Sequence, residues 1–299
     1  MAIQTEQTGQ AQQIDGPTPV AAVRVPTTSA FGELRAIKIV WQRELIRFLD
    51  DRTRFVTSLI QPFIFLFILG TGLSSLTRSG SGGLNLRTFM YPGILGMSVL
   101  FTALFSAASI VWDREFGFLR EMLVAPVRRS SIVIGKCLGG ATTSTLQGIL
   151  LLAVAGLVGV PYSPPMLLAV FGMQLLLAFT LTAFGLMIAV RITQIQSFMA
   201  VTQMLVMPLF FISGAIFPLT GLPTWLAVLN RIDPLTYAVD PIRHVVFAHL
   251  NVSAAARSAL DPGVTWGSWH VPVLLELGVV AALGATMLGI AIAAFSRSE

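Results

Sequence analysis

A chain of 299 residues with 55% hydrophobic and only 11% charged residues lies outside the balance of soluble domains. Its net charge of +5 does not point to nucleic acid, because the basic residues flank apolar blocks and build no aromatic-interleaved patch. The single cysteine, Cys137, excludes an intrachain disulfide and a cysteine-rich metal site, leaving close packing as its role.

Residues 1–30 are rich in Gln, Thr, Pro and Ala and lack the apolar core and cleavage site of a secretory signal, which predicts a disordered cytoplasmic tail. From residue 31 to 50 the pattern changes. Phe31, Leu34, Ile37, Trp41, Leu45, Phe48 and Leu49 share one helical face, as expected for a helix lying in the membrane interface. Six apolar blocks follow, at about 55–76, 89–112, 137–160, 167–190, 197–217 and 271–295, each long enough to cross roughly 30 Å of hydrocarbon. Backbone groups in lipid must pair within their own segment, so the expected fold is all-α, with six transmembrane helices. Pro62, Pro92, Pro208 and Pro272 are candidate kinks or ends.

Orientation follows from the basic residues, which are retained on the cytoplasmic side. With the N-terminus inside, fourteen of the 19 Lys and Arg residues fall in inner segments, so both termini are expected in the cytoplasm. The outer connections are then 77–88, 161–166 and the long segment 218–270, whose Pro, Trp225 and Tyr237 suit short helices at the outer interface.

The inner loop 113–136, DREFGFLREMLVAPVRRSSIVIGK, concentrates charge between two uncharged blocks. Phe116, Leu119 and Leu123 recur at helical spacing with Arg120 and Glu121 on the neighbouring face, and Pro126 ends the turn before a basic pair. Such a helix could seat in a groove of a cytoplasmic partner; by physics alone, a snorkelling positive-inside loop without a partner is an equal reading.

The run Arg114-Glu115, Gly117, Leu119, Glu121, Leu123, Ala125-Pro126, Arg128-Arg129 and Gly135-Lys136 resembles the signature loop of the ABC type-2 exporter permeases. The daunorubicin-resistance membrane subunit group is the nearest likeness, with the nodulation-factor exporter permeases close by. The likeness runs over about residues 31–295 and includes FPL-x-x-LP-x-W and DPLTYAVD-x-IR after the fifth block, with Asp233-Pro234 where the family often has Asn-Pro.

The resemblance implies a bacterial inner-membrane protein, one domain over 31–299, that dimerises with a second permease protomer. It also implies a separate ATP-binding cassette subunit docked on the 113–136 loop through Arg114, Glu115, Gly117, Arg120, Glu121, Pro126, Arg128 and Arg129. ATP and magnesium would belong to that partner. No cofactor is expected here, since Gly135-Lys136 is followed by Cys137 and no phosphate loop is spelled out. The cargo implied is amphipathic, drug-like first and lipid or lipo-oligosaccharide as the alternative, with segment 218–270 capping its path.

Gln61, Gln147, Gln174, Gln203 and Glu276 are candidate path residues, because a polar group in lipid is costly unless paired; interhelical hydrogen bonding is the plainer account. Ala281, Ala285, Gly289 and Ala293 form a small-residue stripe, and Gly135 with Gly139 a second close-approach pair. His244 and His249, five apart and without a third ligand cluster, are read as interface residues. Asn251-Val252-Ser253 matches a glycan acceptor, a pattern common by chance. An intramembrane serine protease is disfavoured because Ser213-Gly214 follows Phe211 where glycine is needed and no block contains histidine. A channel or secondary transporter would show deeper charges or matched broken helices.

Overall fold

The computed structural model describes residues 30–72, 86–124, 127–217, 223–250, 260–266 and 269–298. The tail expected over 1–30 lies outside them apart from Ala30, as do Pro126, residues 73–76 of the first apolar block, and the pattern at 251–253.

The molecule is a bundle of helices with almost no sheet. α1 (Ala30–Asp50) is followed by α2 (Arg52–Ile64), which runs on through a π-helical turn, Phe65–Leu69, and a last turn, Gly70–Gly72. Pro62 lies just ahead of the π turn, where its missing N–H and ring loosen the regular ladder. α3 (Leu86–Glu115) is the central helix: 83% of its apolar window is buried, as expected for a helix that is apolar all round. α4 (Phe118–Val124) and α5 (Arg129–Leu152) follow, the latter ending in a 3₁₀ turn, Ala155–Val158.

α6 (Pro164–Ala189) opens on proline, which suits the first helical position, and leads to α7 (Ile195–Ile212). Two shorter helices, α8 (Thr224–Ile232) and α9 (Thr236–Ala248), occupy the segment expected to hold them. A two-stranded antiparallel ribbon, β1 (Thr265–Trp266) and β2 (Trp269–His270), was not expected there. α10 (Val273–Ser298) starts directly after Pro272, whose carbonyl accepts from the Leu275 and Glu276 N–H groups.

Among the described residues, five helices are long and apolar enough to cross a membrane: Phe55–Gly72, Leu86–Glu115, Pro164–Ala189, Ile195–Ile212 and Val273–Arg297. α5, the counterpart of the third apolar block, is not among them. It carries Lys136, Thr143, Ser144, Thr145 and Gln147, all buried against protein.

The core is continuous from end to end. Met97, Leu100 and Leu104 of α3 pack in the middle against Leu177 and Leu181 of α6, Phe210 of α7 and Val239 of α9. Towards one end Phe89 and Ile94 meet Leu151, Val170 and Phe247; towards the other Ile110 meets Leu119, Val133, Leu186 and Phe295.

α1 buries Val40, Glu44 and Phe48 against the bundle, while Phe31, Leu34 and Leu49, from the face expected in the membrane interface, stay exposed. One face differs from expectation. On α10 the stripe Ala281, Ala285, Gly289 and Ala293 is exposed, and the helix packs instead through Val280, Ala291 and Phe295. The second small pair does mark a close approach. Val40 and Glu44 of α1 rest on Gly135 and Gly139 of α5, where a Cβ would come within 2.7 and 2.6 Å of their own Cβ atoms.

Candidate functional site

The charged loop hangs from a buried hub. Asp113, in the last turn of α3, has a fully buried carboxylate. Its Oδ2 is 2.6 Å from Lys136 Nζ on α5, which also lies 2.8 Å from Glu44 Oε1 on α1 and donates to Ser109 Oγ at 3.1 Å. Asp113 Oδ1 takes Arg43 Nη2 at 2.5 Å and Arg47 Nη2 at 3.5 Å. Every buried charge therefore has an opposite neighbour, the condition under which burial of ions is tolerated. Arg43 reaches one step further, donating through Nη1 to Met122 Sδ of α4 at 3.0 Å. Three long elements and the short helix are thereby tied at one point.

The loop residues divide into braces and exposed groups. Arg114 donates through Nη1 to the carbonyls of Val190 and Ile192, both at 3.0 Å, fixing the end of α3 to the connection after α6. Glu115 Oε2 accepts from the Ile195 N–H at 2.9 Å, satisfying a free donor at the start of α7. Arg128 donates its backbone N–H to the Glu33 carboxylate, which Ser131 Oγ also contacts. Arg129 donates to the Ser296 carbonyl at 3.1 Å, joining α5 to the end of α10.

Gly117 turns the chain between α3 and α4 with φ of 82°, a left-handed value that favours glycine. α4 begins at Phe118, two residues beyond Phe116, so Phe116 is not on its face as the spacing predicted. Leu119 is buried, whereas Phe116, Phe118, Glu121 and Val124 are exposed; Val124 is 85% accessible. Arg120 lies on α4, and its side chain, like Pro126, is outside the described residues.

The candidate path residues do not form one line. Gln61 lines a cavity of about 280 Å³ with Phe48, Thr57, Ser58, Phe101 and Phe105. Gln147 is linked to it through Ser58, whose hydroxyl donates to Gln147 Oε1 at 2.8 Å. Gln174 is buried between α5 and α6 against Gly148, and neither end of its amide finds a partner. Gln203 faces outward on α7. Glu276 is buried at the opposite end of the molecule, beside Asp240 of α9.

An ABC-2 type transporter family model matches residues 35–247, from α1 through α9. The chain belongs to the ABC-2 type transporter family. Its relatives agree with that membership. A putative transport permease, ycf38, of Cyanophora paradoxa is 28% identical over 73% of this chain and 76% of its own length. Nodulation protein J of Rhizobium leguminosarum bv. trifolii is 28% identical over 70% of the chain and 80% of its own. Inner membrane transport permease YadH of Escherichia coli K12 is 28% identical over 70% of the chain and 82% of its own. This ABC-2 protein is thus a membrane-embedded transport permease.

The matched region takes in the α8–α9 corner, where Asp233 precedes Pro234. Its Oδ1 accepts from the Leu235 N–H at 2.9 Å, while Oδ2 has no donor. Burial pushes its carboxyl up to about 7, against the smaller opposing effect of the Leu235 bond.

Sequence reading missed Glu44, Asp113 and Lys136 as a unit, although Asp113 and Lys136 each stand at the end of an apolar block, a signal of pairing in a membrane protein. It also missed Asp240, Arg243 and Asp261, which gather around Glu276 from distant segments.

Proposed function

We propose that this chain is one protomer of an exporter whose work is done by a separate ATP-binding cassette subunit seated on α4 and its flanks. The observation that carries the reading is the condition of α4: Met122 ties it to the hub and Leu119 to the core, while Phe118 and Val124, with Phe116 just before it, project from the molecule. A short helix with its inner side clamped and apolar groups outward suits a groove on a partner. Movement of that partner would reach α1, α3 and α5 together, because the hub joins all three.

In this reading the hub lies in the cytoplasm, α5 is the sixth crossing, and two protomers face each other. ATP and magnesium sit on the partner, and nucleotide shifts the bundle between inward-open and outward-open states. The cargo is amphipathic, a drug-like molecule before a lipid or lipo-oligosaccharide. The cavity at Gln61 supports this, since Phe48, Phe101 and Phe105 offer an apolar wall and Thr57, Ser58 and Gln61 a polar one.

The test pairs Phe116→Asp with Phe118→Asp. Both lie outside the packed core, so the variant is expected to insert and fold as wild type yet lose co-purification with its ATP-binding partner and at least about tenfold of transport, or about 1.4 kcal/mol of coupling. A variant with full partner binding and full transport would remove α4 as the docking element.

A further inference from the structure

At the end opposite the hub, three acidic side chains converge from separate parts of the chain. Asp240 comes from α9, Asp261 from the stretch before β1, and Glu276 from the first turn of α10. Asp240 and Asp261 line a cavity of about 540 Å³ together with His244 and His270, with Pro262 and Val271 among its apolar walls, and Glu276 lies beside Asp240 outside that lining. That volume is within the range of small-molecule sites.

The cavity is short of hydrogen-bond donors. Asp240 is 5% exposed; its Oδ2 accepts from the Val264 N–H at 3.1 Å, and its Oδ1 has no donor. Glu276 is 0% exposed and meets the Asp240 carboxyl directly, a contact satisfied only while the pair holds a proton between them, and neither of its oxygens has a backbone or cationic donor among the described residues. The nearby cation does not answer this need. Arg243 donates through Nη2 to the Gly214 carbonyl at 2.5 Å and lays its guanidinium over the Phe89 ring, 4.6 Å from the centroid. His244 Nδ1 lies 3.0 Å from Asp261 Oδ2, at the rim, where its side chain is 58% exposed. Acceptors buried without donors cost free energy unless something supplies the missing N–H groups and positive charge.

We propose that this cavity is a binding site for a primary ammonium group, held by Asp240 and Asp261 with Glu276 behind them. A protonated amine brings up to three N–H donors and one charge, matching the unpaired Asp240 oxygen, and the Pro and Val walls cover the adjoining carbons. A metal ion fits less well, since no group of three or more His, Cys, Asp and Glu side chains among the described residues is arranged to hold one. Burial raises the Asp240 carboxyl above its ordinary range, opposed by Arg243 and reinforced by Asp261, so an ammonium would take the place of a proton there. The amine could belong to an amphipathic solute or to an aminophospholipid headgroup. The site stands apart from α4, so it does not depend on the ATPase reading.

The experiment is calorimetric titration of the full chain in phosphatidylglycerol nanodiscs with phenethylammonium, phenethyl alcohol and phenethyl-trimethylammonium. Saturable binding of the ammonium is expected, with at least about tenfold weaker binding of the alcohol and of the trimethyl compound, which lack charge or N–H donors respectively. Asp240→Asn and Asp261→Asn should each weaken the ammonium about tenfold or more, and Asp261→Glu, which keeps the charge, should restore most of it. Repeating the titration in phosphatidylethanolamine nanodiscs separates the sources: competition assigns the lipid headgroup, and unchanged binding assigns a free amine. No saturable ammonium binding, equal binding of the alcohol or trimethyl compound, or unchanged affinity in both Asn variants would overturn the proposal. Should the Asn variants fail to fold, the ligand series on the wild type still decides it.

Discussion

Val40 of α1 sits so close to Gly135 of α5 that a methyl group at 135 would lie 2.7 Å from the Val40 Cβ. One turn along, Glu44 repeats the contact at Gly139 and delivers its carboxylate to Lys136. Steric fit and charge pairing thus hold the same helix in the same register.

Gly135→Leu should push α1 away from α5, at a cost of about 1–3 kcal/mol for overpacking. Thermal melting in detergent checks it. Combining the change with Val40→Gly should recover part of the loss, which a non-contacting pair would not do.

Lys136→Met removes the cation shared by Glu44 and Asp113. Asp113 keeps Arg43 and Arg47, but Glu44 is left buried without its partner, so a loss of about 3–5 kcal/mol is expected. Adding Glu44→Leu should restore most of the melting temperature. If the single variant melts as wild type, the hub does not hold the bundle.

Glu115 separates bracing from docking. Glu115→Gln keeps an oxygen for the Ile195 N–H and should leave the melting temperature unchanged, whereas Glu115→Ala should cost about 0.5–1 kcal/mol, as loss of a helix-start acceptor does. If both variants melt alike but both lose transport, the carboxylate acts on the partner instead.

Asp233 should make stability depend on pH. Its carboxyl is raised to about 7 in the fold, above roughly 4 in the unfolded chain, so the folded state holds the extra proton between those values. Its contribution is therefore greatest below about pH 4, falls as pH rises to about 7, and is level beyond; the span is on the order of 4 kcal/mol. Asp233→Asn keeps an oxygen for Leu235 and has nothing to ionise. Melting followed from pH 5 to pH 8 should decline in the wild type more than in this variant; parallel curves would show that Asp233 is not the group responsible.

Long apolar blocks were readable because each is set by local composition: residues 167–190 and 271–295 lie within a few residues of α6 and α10. Gly135 and Gly139 were readable as a close approach for the same reason, though not their guest. What periodicity could not supply is the partner of a charge. Counting apolar residues on α1 finds the face of Phe31 and Leu34, which stays exposed, whereas the face seated on the bundle is set by the ion pair of Glu44 with Lys136. Glu276 likewise stood alone in sequence, because Asp240 reaches it only through the packing of α9 on α10. In the loop, the resemblance implied Arg114 and Glu115 as docking groups; their acceptor and donor within this chain are backbone groups of the 190–195 connection, invisible to any side-chain pattern.

The pairing of Glu44 with Lys136 spans 92 residues of sequence. During synthesis the first helix must emerge, and two apolar hairpin arms be threaded into the bilayer, before its counter-charge exists. Biogenesis therefore has an order: Arg43 and Arg47 of α1 can meet Asp113 once α3 has been made, but the Glu44 carboxylate gains its cation only when translation has reached α5.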